Sequence, residues 1–469
     1  MSAVNTEATN PETLSITQRL CEKITSITFD DLDAITRQTA SMLFMDGIAV
    51  AVAGAHQEKA PKVLSNHIKS LGGKPQATVF SFGYQASLTQ AAYVNGASMH
   101  VLDYEPMWNP PNHQLSTCLP AILALAEFNE LDGRSVLTAL VKGTEMMCRL
   151  RWAAPAQRDL NKNRFHPPGY VGPMGAAVAA SHLLGLDSQN LANALGIVGS
   201  RCSALWPNNG TDTKSLHCGM ASANGLDAVL LASGGFNSNP DILGAPRGYI
   251  ESFFDKEEFM LDKLLGFGDS YRMVNPGCAI KMWPSQYGTH FIFTACFELK
   301  KKLVKGDKIK SVVVTCPKMD YPNRPRPATG LAGKFSFQYA AALALLDDKI
   351  DMDSFSDERR FSEDMEDFLG KISLDQKDVP ANFENMGEGI VVTVELESGE
   401  KVKASCNGPK GFWGKEAITL EAHQEKVRSC LSMVLSEEDS EAVIEYGQRL
   451  EELDGSEMKD LIQLLGNYK

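Results

Sequence analysis

The sequence predicts a mainly α-helical protein. A large all-α bundle is expected over residues 15–275, a smaller α+β unit over 276–412, and helices over 413–469 that return to the bundle. Three observations carry this reading. From Ser15 to about Leu265 nearly every stretch repeats its apolar residues at helical spacing. Strand-like, β-branched runs gather only later, in Lys308–Cys316, Ile390–Ser398 and Lys401–Cys406. At 469 residues the chain is long for one ordinary core, which favours two.

Taking the elements in order, Ser15–Ile27 and Asp31–Ala53 read as helices, and Gln57–Leu71 as one that stops at Gly72-Gly73. Thr78–Phe82 is a short extended piece. Leu88–His100 and Cys118–Asn129 are helices flanking a polar loop, and Ser135–Arg149 follows as another. Gly172–Leu186, Asp187–Gly199 and Leu216–Ser233 are rich in Gly, Ala and Ser, which lets helix backbones approach closely. A Gly/Asp/Pro hinge begins at Leu265, and Ser285–Lys302 is the next helix. Beyond the first strand come a helix at Ser336–Leu346, a charged and poorly periodic stretch at Asp347–Asp367, and a hairpin around Ser398-Gly399-Glu400. Thr419–Tyr468 returns to helix and ends in an acidic amphipathic pair. Residues 1–14 lack the apolar core of a signal peptide and the arginines of a transit peptide, so they read as a disordered lead-in to a cytoplasmic protein.

Composition narrows the function classes. A hydrophobic share of 43% with 22% charged residues is that of a soluble globular chain. No apolar run reaches the ~18 residues of a membrane span. The formal net charge of -13 opposes binding to nucleic acid or an anionic membrane, whereas a small anion needs only a few local cations. Ten cysteines without a CxxC pair suggest reduced, buried thiols. There is no GxGxxG after a strand, no Walker A loop, no HExxH and no GxSxG.

Polar loops between helices remain as the places for chemistry. Val101–Ser116 (VLDYEPMWNPPNHQLS) must leave the helix because of Pro110-Pro111, and it carries Asp103 and His113. The bland alternative is a histidine that fixes its own loop and an aspartate that caps a helix. Asn161–Gly172 (NKNRFHPPGYVG) sets His166 before a helix start suited to an anion; alternatively, Pro-Pro-Gly is only a helix lead-in. Asn208–Gly219 (NNGTDTKSLHCG) places Lys214 among small polar residues before a helix, and Ala279–Pro284 (AIKMWP) places Lys281 among apolar ones. An isolated lysine in such company either snorkels to water or has a ligand. Tyr321-Pro322-Asn323-Arg324-Pro325 adds an acid and a cation, or else is a polyproline-like sheet edge. Converging at an interdomain cleft, this set suits proton transfer beside substrate carboxylates: cations neutralise the carboxylates while His or Tyr moves the proton.

The motifs VNGASMHVLDYE, NHQLSTCLPAILALAE, RFHPPGYVG, GTDTKSLHCG, IKMWPSQYGTH and YPNRP make the chain resemble the MmgE/PrpD family from about residue 15 to 465. That family includes 2-methylcitrate dehydratases, cis-aconitate decarboxylases and an iminodisuccinate epimerase. The resemblance implies a helical domain completed by the C-terminal helices, an inserted α+β lid, a homodimer, and no metal or organic cofactor. Carried over by position, it implies a site of Asp103, His113, His166, Lys214, Lys281 and Tyr321. Animal cis-aconitate decarboxylases of the family have Thr where this chain has Met107 and His where it has Asn109. These two positions, with Arg324, are therefore expected to meet the substrate and help select it.

The expectation is a cofactor-independent lyase acting on a small di- or tricarboxylate, by dehydration or decarboxylation. His113 carries the proton with help from Tyr321 or His166, Lys214 and Lys281 hold carboxylates, and Asp103 orients His113 or bonds the substrate. The alternatives are an epimerase, which needs a proton donor on each face of one carbon, and a non-catalytic carboxylate-binding homologue.

Overall fold

The computed structural model describes residues 14–155, 163–379, 381–382, 386–387 and 389–468. Residues 1–13 of the expected lead-in, and Asn161 and Lys162 of the second polar loop, lie outside the described residues.

The N-terminal bundle contains α1 (Ile16–Ser26), α2 (Ala34–Gln57), α3 (Lys59–Leu71), α4 (Leu88–Val101), α5 (Leu115–Asn129), α6 (Gly133–Trp152), α7 (Pro168–Leu183), α8 (Ser188–Gly199) and α9 (Thr213–Ser233). A two-stranded antiparallel ribbon, β1 (Ala77–Val79) with β2 (Tyr84–Ala86), sits between α3 and α4. Side-chain caps define several starts: Ser15 and Gln18 form a capping box on α1, and Asp33, Asp132 and Asp187 accept backbone N–H groups at the starts of α2, α6 and α8. The small residues do meet. A Cβ added at Gly96 of α4 would stand 2.8 Å from the Gly219 Cα of α9, and one at Gly225 would stand 2.4 Å from Ala176 Cβ of α7. Helix α2 is long and apolar enough by composition to cross a membrane, contrary to the expectation from apolar run length. Its apolar window is 78% buried inside the protein, so its character is that of a core helix.

Short helices α10 (Tyr249–Phe253) and α11 (Leu261–Leu265) lead out of the bundle. The chain continues through α12 (Tyr287–Lys300), β3 (Ile309–Pro317), α13 (Gly330–Gly333), α14 (Phe337–Leu346), α15 (Asp357–Arg360), α16 (Glu363–Leu369), β4 (Ile372–Lys377), β5 (Ile390–Leu396) and β6 (Lys401–Cys406), and all of these but α13 and α15 contribute to a second hydrophobic core. The sheet order is β4-β3-β5-β6, with β4 parallel to β3 and the other pairs antiparallel. Two features escape the periodicity reading: helical turns inside the charged stretch after residue 347, and β4. ISLDQK lies at the sheet edge with buried, half-buried and exposed side chains in no regular order, so it shows no apolar alternation. The terminal helices α17 (Leu420–Leu431), α18 (Glu437–Gln448) and α19 (Gly455–Leu464) return to the first core, where Val427, Val443 and Leu461 join the same cluster as Leu43 and Phe44.

Candidate active site

The loop from Val101 to Ser116 runs along the junction of the two cores. Its Tyr104 and Trp108 are buried in the first, its Met107 in the second. Helix α4 ends at Val101, and Asp103 takes a left-handed backbone conformation, φ 51°, with its N–H on the His100 carbonyl at 2.8 Å. Asp tolerates this region better than most residues. Met107 then exchanges two backbone hydrogen bonds with Ala279, at 2.9 and 2.7 Å. That pairing brings Lys281 to the Asp103 turn.

Lysines from distant parts of the chain close on this turn. Lys281, fully buried, donates to the Asp103 carbonyl at 2.7 Å and also to its carboxylate. Lys334 donates to the Leu102 carbonyl at 3.4 Å, and Lys426 to the Tyr104 carbonyl at 2.9 Å. Lys214 reaches the Asp103 carboxylate at 2.7 Å and His100 Nε2 at 2.8 Å. The sequence places Lys214 in a loop before a helix; in the structure it occupies the first turn of α9, which starts at Thr213.

His166 is placed by a proline-glycine pattern. Pro173, inside α7, has no N–H for the Gly169 carbonyl one turn back, and Ser203 N–H supplies the bond at 3.0 Å. Gly169 admits that segment: a Cβ there would stand 2.1 Å from Ala204 Cβ. Docked in this way, the Ala204 carbonyl accepts from His166 N–H at 2.9 Å, and Trp206 follows at the cavity wall.

Asp103, Met107, His113, His166, Lys214, Lys281 and Tyr321 all line one cavity, joined by Gln286, Trp206 and Phe335. The remaining predicted residues stand elsewhere. Arg324 is spent on bracing the wall, donating from Nε to the Tyr321 carbonyl at 2.8 Å and from Nη2 to the Asn209 carbonyl at 3.0 Å. Asn109 lies off the cavity, its carbonyl accepting from Arg272 Nη2 at 3.0 Å. Asp103 is not hydrogen-bonded to His113; its Oδ1 is 3.9 Å from His113 Nε2.

Several groups have no role assigned in the sequence reading: His100, Glu105, His217 and Gln286. His100 and Glu105 flank Asp103 in sequence, three residues before and two after, as polar residues in an apolar stretch. That signal was available. Gln286, whose Oε1 accepts from the Tyr321 hydroxyl at 3.3 Å, offers none.

The cluster is buried, and burial sets its electrostatics. Burial pulls the His100, His113 and His166 pKa values well below the usual histidine range, and the nearby Lys214 ammonium adds to this. All three are neutral imidazoles near pH 7. Burial would raise the Asp103 pKa, but Lys214 and Lys281 outweigh it and hold the carboxyl well below its ordinary value. Glu105 has no such dominant partner, and burial pushes it up to about 7. Burial also raises the Tyr321 phenol, so it is a neutral proton donor. His100, His113 and His166 offer nitrogens within 4.8 Å of one another, a spacing that a metal ion can bridge. Two facts oppose a cation there: the Lys214 and Lys281 ammonium groups share the cluster, and both His100 nitrogens are already engaged, by Glu105 and Lys214.

A mainly helical chain with two cores, and a buried cluster of ammonium groups and neutral imidazoles between them, defines the class. The chain belongs to the MmgE/PrpD family: residues 18–262 match its N-terminal domain and residues 283–452 its C-terminal domain. Among curated proteins it is similar to the cis-aconitate decarboxylase of Homo sapiens, 29% identical over 94% of this chain and 92% of the relative. The Mus musculus enzyme of the same name is 30% identical, over 94% and 91%. The cis-aconitate decarboxylase of Aspergillus terreus is 23% identical, over 96% of each.

Proposed function

We propose that the protein is a lyase that removes CO2 or water from a small tricarboxylate, using its own side chains for binding and proton transfer. The observation that carries this is the pair Lys214 and Lys281 on one cavity with His113 and His166. An ammonium has three N–H groups. Lys214 commits one to His100 and one to Asp103, and Lys281 commits its own to the Asp103 carbonyl and carboxylate. One N–H on each remains for a substrate carboxylate. Asp103 holds both ammonium groups in place in a buried site and so makes them usable as anchors.

A polyanion entering this cavity reverses the electrostatics of His113, because nearby negative charge favours the imidazolium. Binding therefore brings a proton with it. In decarboxylation the bond to the departing carboxylate breaks and its electron pair stays on the substrate. The lysines stabilise that charge, and the His113 proton quenches it on carbon. Dehydration instead needs His113 in its neutral form: it takes the proton from carbon, and Tyr321 or His166 protonates the leaving hydroxyl. Met107 presents an apolar thioether to the cavity, so in this reading it selects against substrates that need a hydroxyl partner there.

The test is proton NMR in D2O of the protein with cis-aconitate, 2-methylcitrate and citrate. The expected result is loss of CO2 or water from one of them. Deuterium entering recovered substrate with neither loss would instead mark an epimerase. A raised melting temperature with no product would mark a binding protein. Either outcome overturns the lyase reading.

A further inference from the structure

Behind the cavity wall stands a carboxylate that the proton-transfer scheme leaves unused. Glu105 is fully buried and does not line the cavity. Its Oε1 lies 2.7 Å from His100 Nδ1 and accepts from Ser116 Oγ at 2.6 Å, while Oε2 accepts from Ser116 N–H at 2.9 Å. The same Oε1 is 3.5 Å from Nδ1 of His113, whose ring meets His100 edge to face with 4.5 Å between centroids. Such a distance is too long for a full hydrogen bond, and bonds of this kind commonly tighten once substrate is bound.

The tautomers follow from what each partner can do. Ser116 donates to both Glu105 oxygens, so this carboxyl is held as an acceptor and favours a proton on the nitrogen that faces it. An ammonium only donates, so Lys214, 2.8 Å from His100 Nε2, needs that nitrogen bare. Both sides of His100 thus demand the same form, with the proton on Nδ1. For His113 a proton on Nδ1, facing Glu105, leaves the Nε2 lone pair for the substrate. Asp103 is a poor candidate for this orienting duty, since its carboxylate is occupied by two lysines.

We propose that Glu105 is a positioning residue acting through two histidines: it holds His100 so that Nε2 steers the Lys214 ammonium, and it turns His113 so that Nε2 faces the substrate. This rests on the reading of His113 as the proton carrier. Asp103 is then left with a single duty, holding the two lysines in place. Ser116, giving both its N–H and its hydroxyl to Glu105, fixes the carboxylate itself.

The test uses the full chain labelled with 15N-histidine, in wild-type and Glu105→Gln forms. Long-range proton–nitrogen correlation reads the tautomers, with peaks assigned through His100→Gln and His113→Gln. In the wild type both rings are expected to be neutral with the proton on Nδ1. In Glu105→Gln the His113 tautomer is expected to shift, and kcat to fall about 100-fold while KM stays within about twofold. A wild-type proton on Nε2 of either ring overturns the proposal, as does Glu105→Gln with unchanged tautomers and kcat. The wild-type spectrum decides the matter even if the variant does not fold. Correct tautomers without turnover of any tricarboxylate would sink the functional reading and leave the placing of the two histidines by Glu105 standing; turnover with the opposite tautomers would sink the positioning role alone.

Discussion

At the scale of single residues, the site separates groups that serve chemistry alone from groups that also hold the protein together. His113 Nδ1 is buried without a hydrogen bond, so the ring carries little of the fold. His113→Ala is expected to lower turnover by about 10²–10⁴-fold with a nearly unchanged thermal melt. Lys214→Ala behaves differently, because it leaves the buried Asp103 carboxylate with Lys281 as its one remaining cation among the described residues. It is expected to lose turnover and also about 3 kcal/mol of stability, read by urea unfolding; an unchanged melt in this variant would contradict the ion cluster. The histidines also set a pH dependence. His100, His113 and His166 titrate far lower in the folded protein than their unfolded value near 6.5, and His217 is held to about 4 by burial and Lys214. Below pH ~6.5 the unfolded chain therefore binds protons that the folded one refuses, and each such histidine removes up to about 1.4 kcal/mol per pH unit. Glu105, raised to about 7, acts in the opposite sense between its unfolded and folded values, and it offsets about one histidine. The expected outcome is stability lost steadily from pH 6.5 toward 4, seen in urea midpoints across that range.

At the scale of elements, helix crossings place the charges. His100 ends α4 and Lys214 begins α9, and these two helices cross where Gly96 meets Gly219. A Cβ on Gly219 would stand 2.2 Å from the Tyr93 carbonyl, a backbone atom that cannot step aside. Gly219→Ala is expected to cost about 1–3 kcal/mol and to separate Lys214 from His100, lowering both melting temperature and turnover. Equal turnover with a lower melt would show that the crossing does not set the site. The small-residue composition of these helices was legible in sequence, but the identity of the crossing pair was not, because composition carries no information about which faces meet. The same holds for Pro173 and Gly169: each is visible as a helix irregularity, yet the segment that docks on them lies some thirty residues away.

At the scale of the whole molecule, the Asp103 turn is clamped by parts that fold far apart in sequence. Lys426 of α17 donates to the Tyr104 carbonyl and to both oxygens of Asp46 of α2, at 2.9 and 2.8 Å. His423 adds a contact to the same carboxylate at 3.1 Å. Lys334, from the second core, pairs with Glu58 at 2.9 Å and reaches the Leu102 carbonyl. Asp46→Asn would leave the buried Lys426 without its carboxylate partner. A loss of about 3–5 kcal/mol is expected, with turnover falling as well because the Asp103 turn loosens. Stability within 1 kcal/mol of wild type would show that the clamp is dispensable.

By itself the sequence determined the helical class, the late arrival of strands, and the residue types at the site, because helical periodicity, proline breaks and isolated charges in apolar company are local signals. Asp103, His113, His166, Lys214, Lys281 and Tyr321 stood out in this way as candidates beside Arg324, and the family resemblance singled out the six as a set. Only the tertiary structure decided which of them share a cavity, that Arg324 and Asn109 face elsewhere, and that Glu105 and His100 stand behind the wall. Those facts depend on how the chain brings its segments together, some of them a hundred or more residues apart, and on burial, which converts ordinary side chains into neutral imidazoles and a clamped carboxylate. Neither distance nor dielectric is written in local spacing.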